Sequence, residues 1–273
     1  MTVAPHARAA NLGDEPIGDG ERHILDEFRR RLGPSRPPEI AGVEVAHLHL
    51  PRGHEAARVG GDFIDFYSVT NLQQIAVLVG DVAGKGVDAA FDALSTKIAT
   101  RTIVLGLRWP PLPGEALQEV HNALLDATLK QGTHITMVFG LMNGRDGSFS
   151  FASAGHPSPL VLRHDTVERP MSLVAPAIGV TWEAELQPYP TESVQLDDGE
   201  GVLLFTDGIA EARDADGRFY EEARLLEALE ELRGLPAAQL LQCLLADLTE
   251  FAGGPPNDDL ALVFLRRCAP IDG

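Results

Sequence analysis

Cysteine is nearly absent: the 273 residues hold two, Cys243 and Cys268. They form no CxxC motif and no disulfide framework, which points to a reducing, cytoplasmic setting. Basic residues are also scarce, 22 Lys and Arg against 40 Asp and Glu, for a formal net charge of −18. That sign excludes nucleic acid and anionic membrane as main partners, because both reward a basic face. No apolar run approaches the ~20 residues of a membrane helix. The first 20 residues lack the apolar stretch of roughly 7–15 residues that marks a signal peptide. What remains is 44% hydrophobic and 23% charged, enough for a sizeable core in a soluble globular protein.

Residues 1–35 read as a flexible N-terminal tail, rich in Ala, Gly, Pro and Asp at its start, with one short helix over "HILDEFRRRL" (23–32) ended by "GPSRPP". Residues 36–269 read as one domain. Strands are expected at 43–50, 63–69, 75–80, 135–142, 148–154, 159–163, 201–206 and 260–266, with a hairpin signal in "NGRDG". Helices are expected at 88–107, 114–129, 221–232 and 236–251, the last two leucine-rich and amphipathic. Strands come in groups and helices in pairs, without strict βαβ alternation. The pattern predicts an α+β domain of antiparallel sheets covered by helices.

Acidic residues recur at the lips of these strands. Asp62 follows two glycines in "VGGDFID", Asp81 follows "IAVLVG", Asp207 follows "VLLFT", and Asp258 and Asp259 directly precede "LALVFL". One Asp beside Gly at a strand end is commonly a turn residue that bonds nearby amides. Four such sites that converge would repel by about 4 kcal/mol per pair at 4 Å and an effective dielectric of ~20. A divalent cation removes that penalty, and carboxylates, backbone carbonyls and water suit hard ions such as Mg²⁺ or Mn²⁺. No His/Cys set has zinc spacing. "GDVAGKG" does not meet the phosphate-loop pattern, and "DADG" (214–217) lacks the later ligands of a calcium loop, which leaves it a turn.

The set "VGGDFIDFY", "GDVAGKGVDAAF", "HITMVFGLM", "FASAGHPSPLVLR", "LLFTDGIAEARDADGRFY" and "NDDLALVFL" resembles the metal-dependent protein serine/threonine phosphatases (PPM), specifically their bacterial SpoIIE/RsbU-like branch. The resemblance spans about residues 38–267. It implies a four-layer αββα sandwich and a centre of two Mn²⁺ or Mg²⁺ ions at one end of the sheets. By motif match it implies Asp62, Asp81, Asp207 and Asp258 as the metal-site carboxylates through which catalysis runs, the Val82 carbonyl as a backbone ligand, and Asp259 as the neighbour to exchange for Asp258 if the register slips by one. It implies hydrolysis of phosphoserine or phosphothreonine on a regulatory protein, such as a STAS-domain antagonist of an anti-sigma factor, by a metal-bridged water. A homodimer is compatible with the sequence. The alternative is an inactive pseudophosphatase that serves as a binding module. Departures from the family pattern are Lys85 where His is common and Ala261 where Thr is common. Arg52 and Arg58 lie near the expected phosphate site, but no motif supports either. His156 in "SAGHPSP" and His134 are expected to be structural rather than general acids.

Overall fold

The computed structural model describes residues 33–50, 61–69, 73–84, 87–106, 112–127, 132–170, 175–180, 189–256 and 258–269. The expected helix at 23–32, Lys85, Arg52 and Arg58 lie outside these residues. Ten strands form two five-stranded sheets. The first sheet runs β1 (Val43–Leu50), β10 (Leu260–Arg267), β9 (Gly201–Phe205), β6 (Leu160–Leu162) and β7 (Val167–Glu168). The second runs β2 (Phe63–Val69), β3 (Gln74–Val82), β4 (Ile135–Asn143), β5 (Ser148–Ala154) and β8 (Glu192–Gln195). Every pairing is antiparallel. Helices α1 (Val87–Gly106) and α2 (Pro113–Ala127) cover the second sheet, and α3 (Glu221–Leu232) and α4 (Ala237–Ala252) cover the first. This is the αββα sandwich.

The central strands read as unbroken apolar runs because both of their faces are buried. In β3, Ile75, Val77 and Val79 point between the sheets, while Ala76, Leu78 and Val82 point at α1 and α2. In β10, Ala261, Val263 and Leu265 face the other sheet, and Leu260, Leu262 and Phe264 face α3 and α4. Period-2 alternation thus sorts one strand's side chains into two cores. The outer helices complete them: Leu225 and Leu229 of α3, and Leu240, Leu241, Leu244 and Leu248 of α4, form the stripe expected from their spacing. Helix α1 differs. It turns Ala89, Ala90, Ala93, Thr96 and Thr100 inward. The buried hydroxyls of Thr96 and Thr100 donate to the carbonyls four residues back, at 2.7 and 2.8 Å.

Eight expected strands and four expected helices are present with ends displaced by at most two residues. Strand β3 does not stop at Gly80 but continues through Asp81 and Val82, which pair with Thr136 and Ile135. Asp81 is therefore a strand residue. Strands β7 and β8 were not expected: both are short edge strands with half-exposed sequences ("VE", "ESVQ") that carry no apolar run. "DADG" is a turn, in which Asp214 Oδ1 accepts from the amides of Asp216 and Arg218, each at 2.9 Å.

Candidate metal centre

The phase of the strands puts the acidic residues together. In the second sheet, the residues facing the opposite sheet are Ile64 and Phe66 of β2, Val77 and Val79 of β3, and Val138 and Met142 of β4. One step further toward the same end, that phase reaches Asp62, Asp81 and Thr136. In the first sheet, Val202 and Leu204 of β9 face inward, and the same step reaches Thr206, beside Asp207. Asp258 and Asp259 enter from the start of β10, which lies next to β9. Three chain segments of one sheet and two of the other therefore meet at one edge of the sandwich.

Electrostatics record the convergence. Burial pushes the Asp62 carboxyl well above the ordinary carboxylate range, with the fields of Asp81, Asp259 and Asp207 acting in the same direction. Asp81 is pushed up to about 6, first by burial and then by Asp207, with Asp259 and Asp258 adding to the effect. Asp207 is raised by burial and by Asp258. Asp62 is 6% exposed, and its Oδ2 accepts a hydrogen bond from the Thr206 hydroxyl at 2.7 Å. Asp62 and Asp81 are also within hydrogen-bonding reach of each other. Asp62, Asp81 and Asp207 thus each feel the charge of other acidic residues named from the sequence, which places Asp258 and Asp259 at the same edge.

Close backbone approach explains two glycines. A Cβ at Gly61 would stand 2.5 Å from the Val82 carbonyl oxygen and 2.6 Å from Asp81 Oδ1. A Cβ at Gly208 would collide with the Asp259 carbonyl. The Val82 carbonyl is therefore at the cleft, beside Asp81 and opposite Gly61, while its amide donates to the Gly61 carbonyl at 3.3 Å.

Two residues at the cleft escaped the sequence. Thr206 ties the sheets together, since its hydroxyl donates to Asp62 and accepts from the Ala261 amide at 3.1 Å. Its only signal is its place before Asp207. His49 of β1 bonds the Asp62 carbonyl through Nε2 at 3.2 Å, and burial lowers its pKa while the Asp62 carbonyl and Asp259 oppose that. His134 contributes its backbone carbonyl, which accepts from the Ala83 amide at 2.9 Å. His156 is 4% exposed and bonds Thr136 Oγ1 through Nδ1 at 3.0 Å.

The donors are hard oxygens, and among the described residues their repulsion shows as raised pKa values on Asp62, Asp81 and Asp207, which is the condition a divalent cation relieves. The residues present therefore fit such ions by chemistry. Among the described residues, no three His, Cys, Asp or Glu side chains stand closely enough to hold an ion as they are.

Residues 72–268 match the family of stage II sporulation protein E (SpoIIE). The chain belongs to the SpoIIE family. It is a SpoIIE-type phosphatase domain of the PP2C class, an enzyme class of metal-dependent phosphoprotein hydrolases. It is 24% identical over 249 residues to phosphoserine phosphatase RsbU of Bacillus subtilis, which covers 90% of this chain and 70% of RsbU. The RsbU and RsbW domains of Rv1364c from Mycobacterium tuberculosis superpose with a TM-score of 0.69 at 26% identity, over 88% of this chain and 63% of that one. The catalytic domain of the serine/threonine phosphatase PstP, solved in complex with two manganese ions, shares the fold at a TM-score of 0.58 and 13% identity, over 83% of this chain and 99% of that one. No helix among the described residues of this SpoIIE-family chain is long and apolar enough to cross a membrane.

Proposed function

We propose that the cleft holds two Mn²⁺ or Mg²⁺ ions on Asp62, Asp81, Asp207, Asp258 and the Val82 carbonyl, with Asp259 adjoining, and that the chain uses them to hydrolyse phosphoserine or phosphothreonine on a regulatory protein of the STAS anti-anti-sigma type. One observation carries the reading: carboxylates from four strand ends, with Asp62 buried among them, converge at one edge of the sandwich, where the fields of Asp81, Asp207, Asp258 and Asp259 raise the pKa values of their neighbours. Such an arrangement costs stability unless cations occupy it. The two ions in PstP support the metal count, and the phosphoserine specificity in the name of RsbU supports the substrate class.

Two divalent ions, when bound, supply an activated water and neutralise charge on the phosphoryl oxygens. The protein's own part is to hold the ligands. Thr206 keeps Asp62 oriented across the sheets, Gly61 and Gly208 let the backbone close on the site, and the β3–β4 pairing sets Asp81. The positive charge also reverses the local sign of a chain that carries −18 and would otherwise repel a phosphoprotein.

The test is phosphate release from phosphorylated STAS-domain proteins with Mn²⁺, with Mg²⁺ and with chelator. Metal-dependent release that is lost in Asp81→Asn is expected. Mn²⁺ uptake by calorimetry without turnover on any phosphoprotein would leave only a binding module.

A further inference from the structure

His156 occupies a place that the ligand set does not account for. It lies on the turn that carries the chain from β5 in one sheet to β6 in the other. The turn is fixed by Ser153, whose hydroxyl donates to the His156 carbonyl at 2.9 Å and accepts from the His156 amide at 3.2 Å. The ring is therefore held at its base. Its Nδ1 meets the Thr136 hydroxyl at 3.0 Å, and Thr136 is the cross-strand partner of Asp81. The ring also lies against the Phe205 carbonyl, two residues before Asp207, while Nε2 makes no well-formed hydrogen bond. One side chain thus reaches the carboxylate-bearing ends of both sheets.

Burial pushes the imidazole pKa down to about 3, so the ring is neutral near pH 7. The ring is 4% exposed and fixed through Nδ1 on Thr136. The geometry suits a brace.

We propose that His156 is a positioning residue that braces β3 and β4, with Asp81, against the end of β9, with Asp207, and so sets the spacing of the carboxylates that hold the cations. The inference rests on the two-cation reading above. Partners that orient metal ligands from behind are commonly worth about ten- to hundred-fold in metal affinity.

The experiment is Mn²⁺ calorimetry on wild type, His156→Ala, His156→Gln, Thr136→Val and Leu248→Ala, with melting temperatures and kcat pH profiles on the same samples. Leu248 of α4 is buried in the outer core between the helices and the first sheet and serves as the control for loss of stability alone. His156→Ala is expected to bind Mn²⁺ at least ten-fold more weakly than wild type, and Thr136→Val to weaken binding in the same direction. His156→Gln, whose amide can reach toward the Phe205 carbonyl, should recover part of the loss. Leu248→Ala should melt earlier yet bind Mn²⁺ within two-fold of wild type. If His156→Ala does not fold, His156→Gln and Thr136→Val decide the matter against the same control. Mn²⁺ affinity unchanged in the His156 and Thr136 variants, or lowered equally in Leu248→Ala, overturns the brace. So does unchanged affinity with loss of one limb of the pH profile, which would make the ring a proton donor. Wild type that takes up no Mn²⁺ overturns the two-cation reading itself, and this inference with it.

Discussion

Asp81→Asn should make the metal-free protein more stable while it abolishes activity. In the absence of cations, Asp81 has a pKa raised from 3.8 to about 6, chiefly by burial and by the field of Asp207. At about 1.4 kcal/mol for each pH unit, that rise corresponds to up to about 3 kcal/mol of instability above pH 6. The sign follows from proton binding. Between pH 4 and 6 the folded chain keeps a proton that the unfolded chain has released, so stability falls as pH rises through this window and then levels off. Asparagine has the same shape, carries no charge and can donate to Asp62, so the substitution removes the slope and the loss. Urea denaturation in chelator at pH 7.5 should show Asp81→Asn more stable than wild type, by up to about 3 kcal/mol, or about 2–4 °C per kcal/mol in melting temperature. Mn²⁺ should reverse the order: at a hundred times its dissociation constant it adds about 2.7 kcal/mol to wild type and nothing to the variant. Most substitutions of partly buried residues destabilise, so the inverted sign is diagnostic. Asp81→Asn that loses stability in chelator, or that gains as much from Mn²⁺ as wild type does, would refute the reasoning.

Two further substitutions probe the supports of the acidic site, and a third probes a buried lysine on α1. Thr206→Val removes the donor to Asp62 and the acceptor for the Ala261 amide; it should cost about 1–3 kcal/mol in denaturation and weaken Mn²⁺ binding in calorimetry, with Thr206→Ser restoring both. Gly208→Ala drives a methyl into the Asp259 carbonyl and should lower kcat/KM for phosphoprotein by more than ten-fold; retained activity would show that the backbone there yields freely. Lys97, buried in α1 and donating to the Gly33 carbonyl at 2.9 Å, has a pKa pushed from 10.5 down to about 8 by burial. The unfolded chain holds that proton more tightly, so wild type should gain about 1.4 kcal/mol per unit as pH rises from 8 to 10.5, and comparison with Lys97→Met by urea denaturation at pH 7.5 and 9.5 should isolate that gain.

Much of this protein is legible one-dimensionally. Apolar runs such as "IAVLVG" and "LALVFLR" mark strands buried on both faces, and the leucine spacing of 221–232 and 236–251 marks the outer helices, because period and burial are local consequences of sequence. Edge strands β7 and β8 carry no such signal, since half of each is solvated and a single neighbour defines it. Strand β3 runs past its apolar segment because pairing with β4 extends it through Asp81, and pairing is a property of two segments.

The acidic residues could be named from their motifs, and the residue types alone narrow the chemistry to hard cations. Thr206, His49 and the two-sided contacts of His156 could not be named, because each acts through a neighbour 13 to 144 positions away. Alternation along a strand decides which face an Asp takes. Only the stacking of two sheets decides that Asp62, Asp81 and Asp207 look into the same cleft, because the free energy that brings them there comes from the apolar layers behind them and opposes their own repulsion.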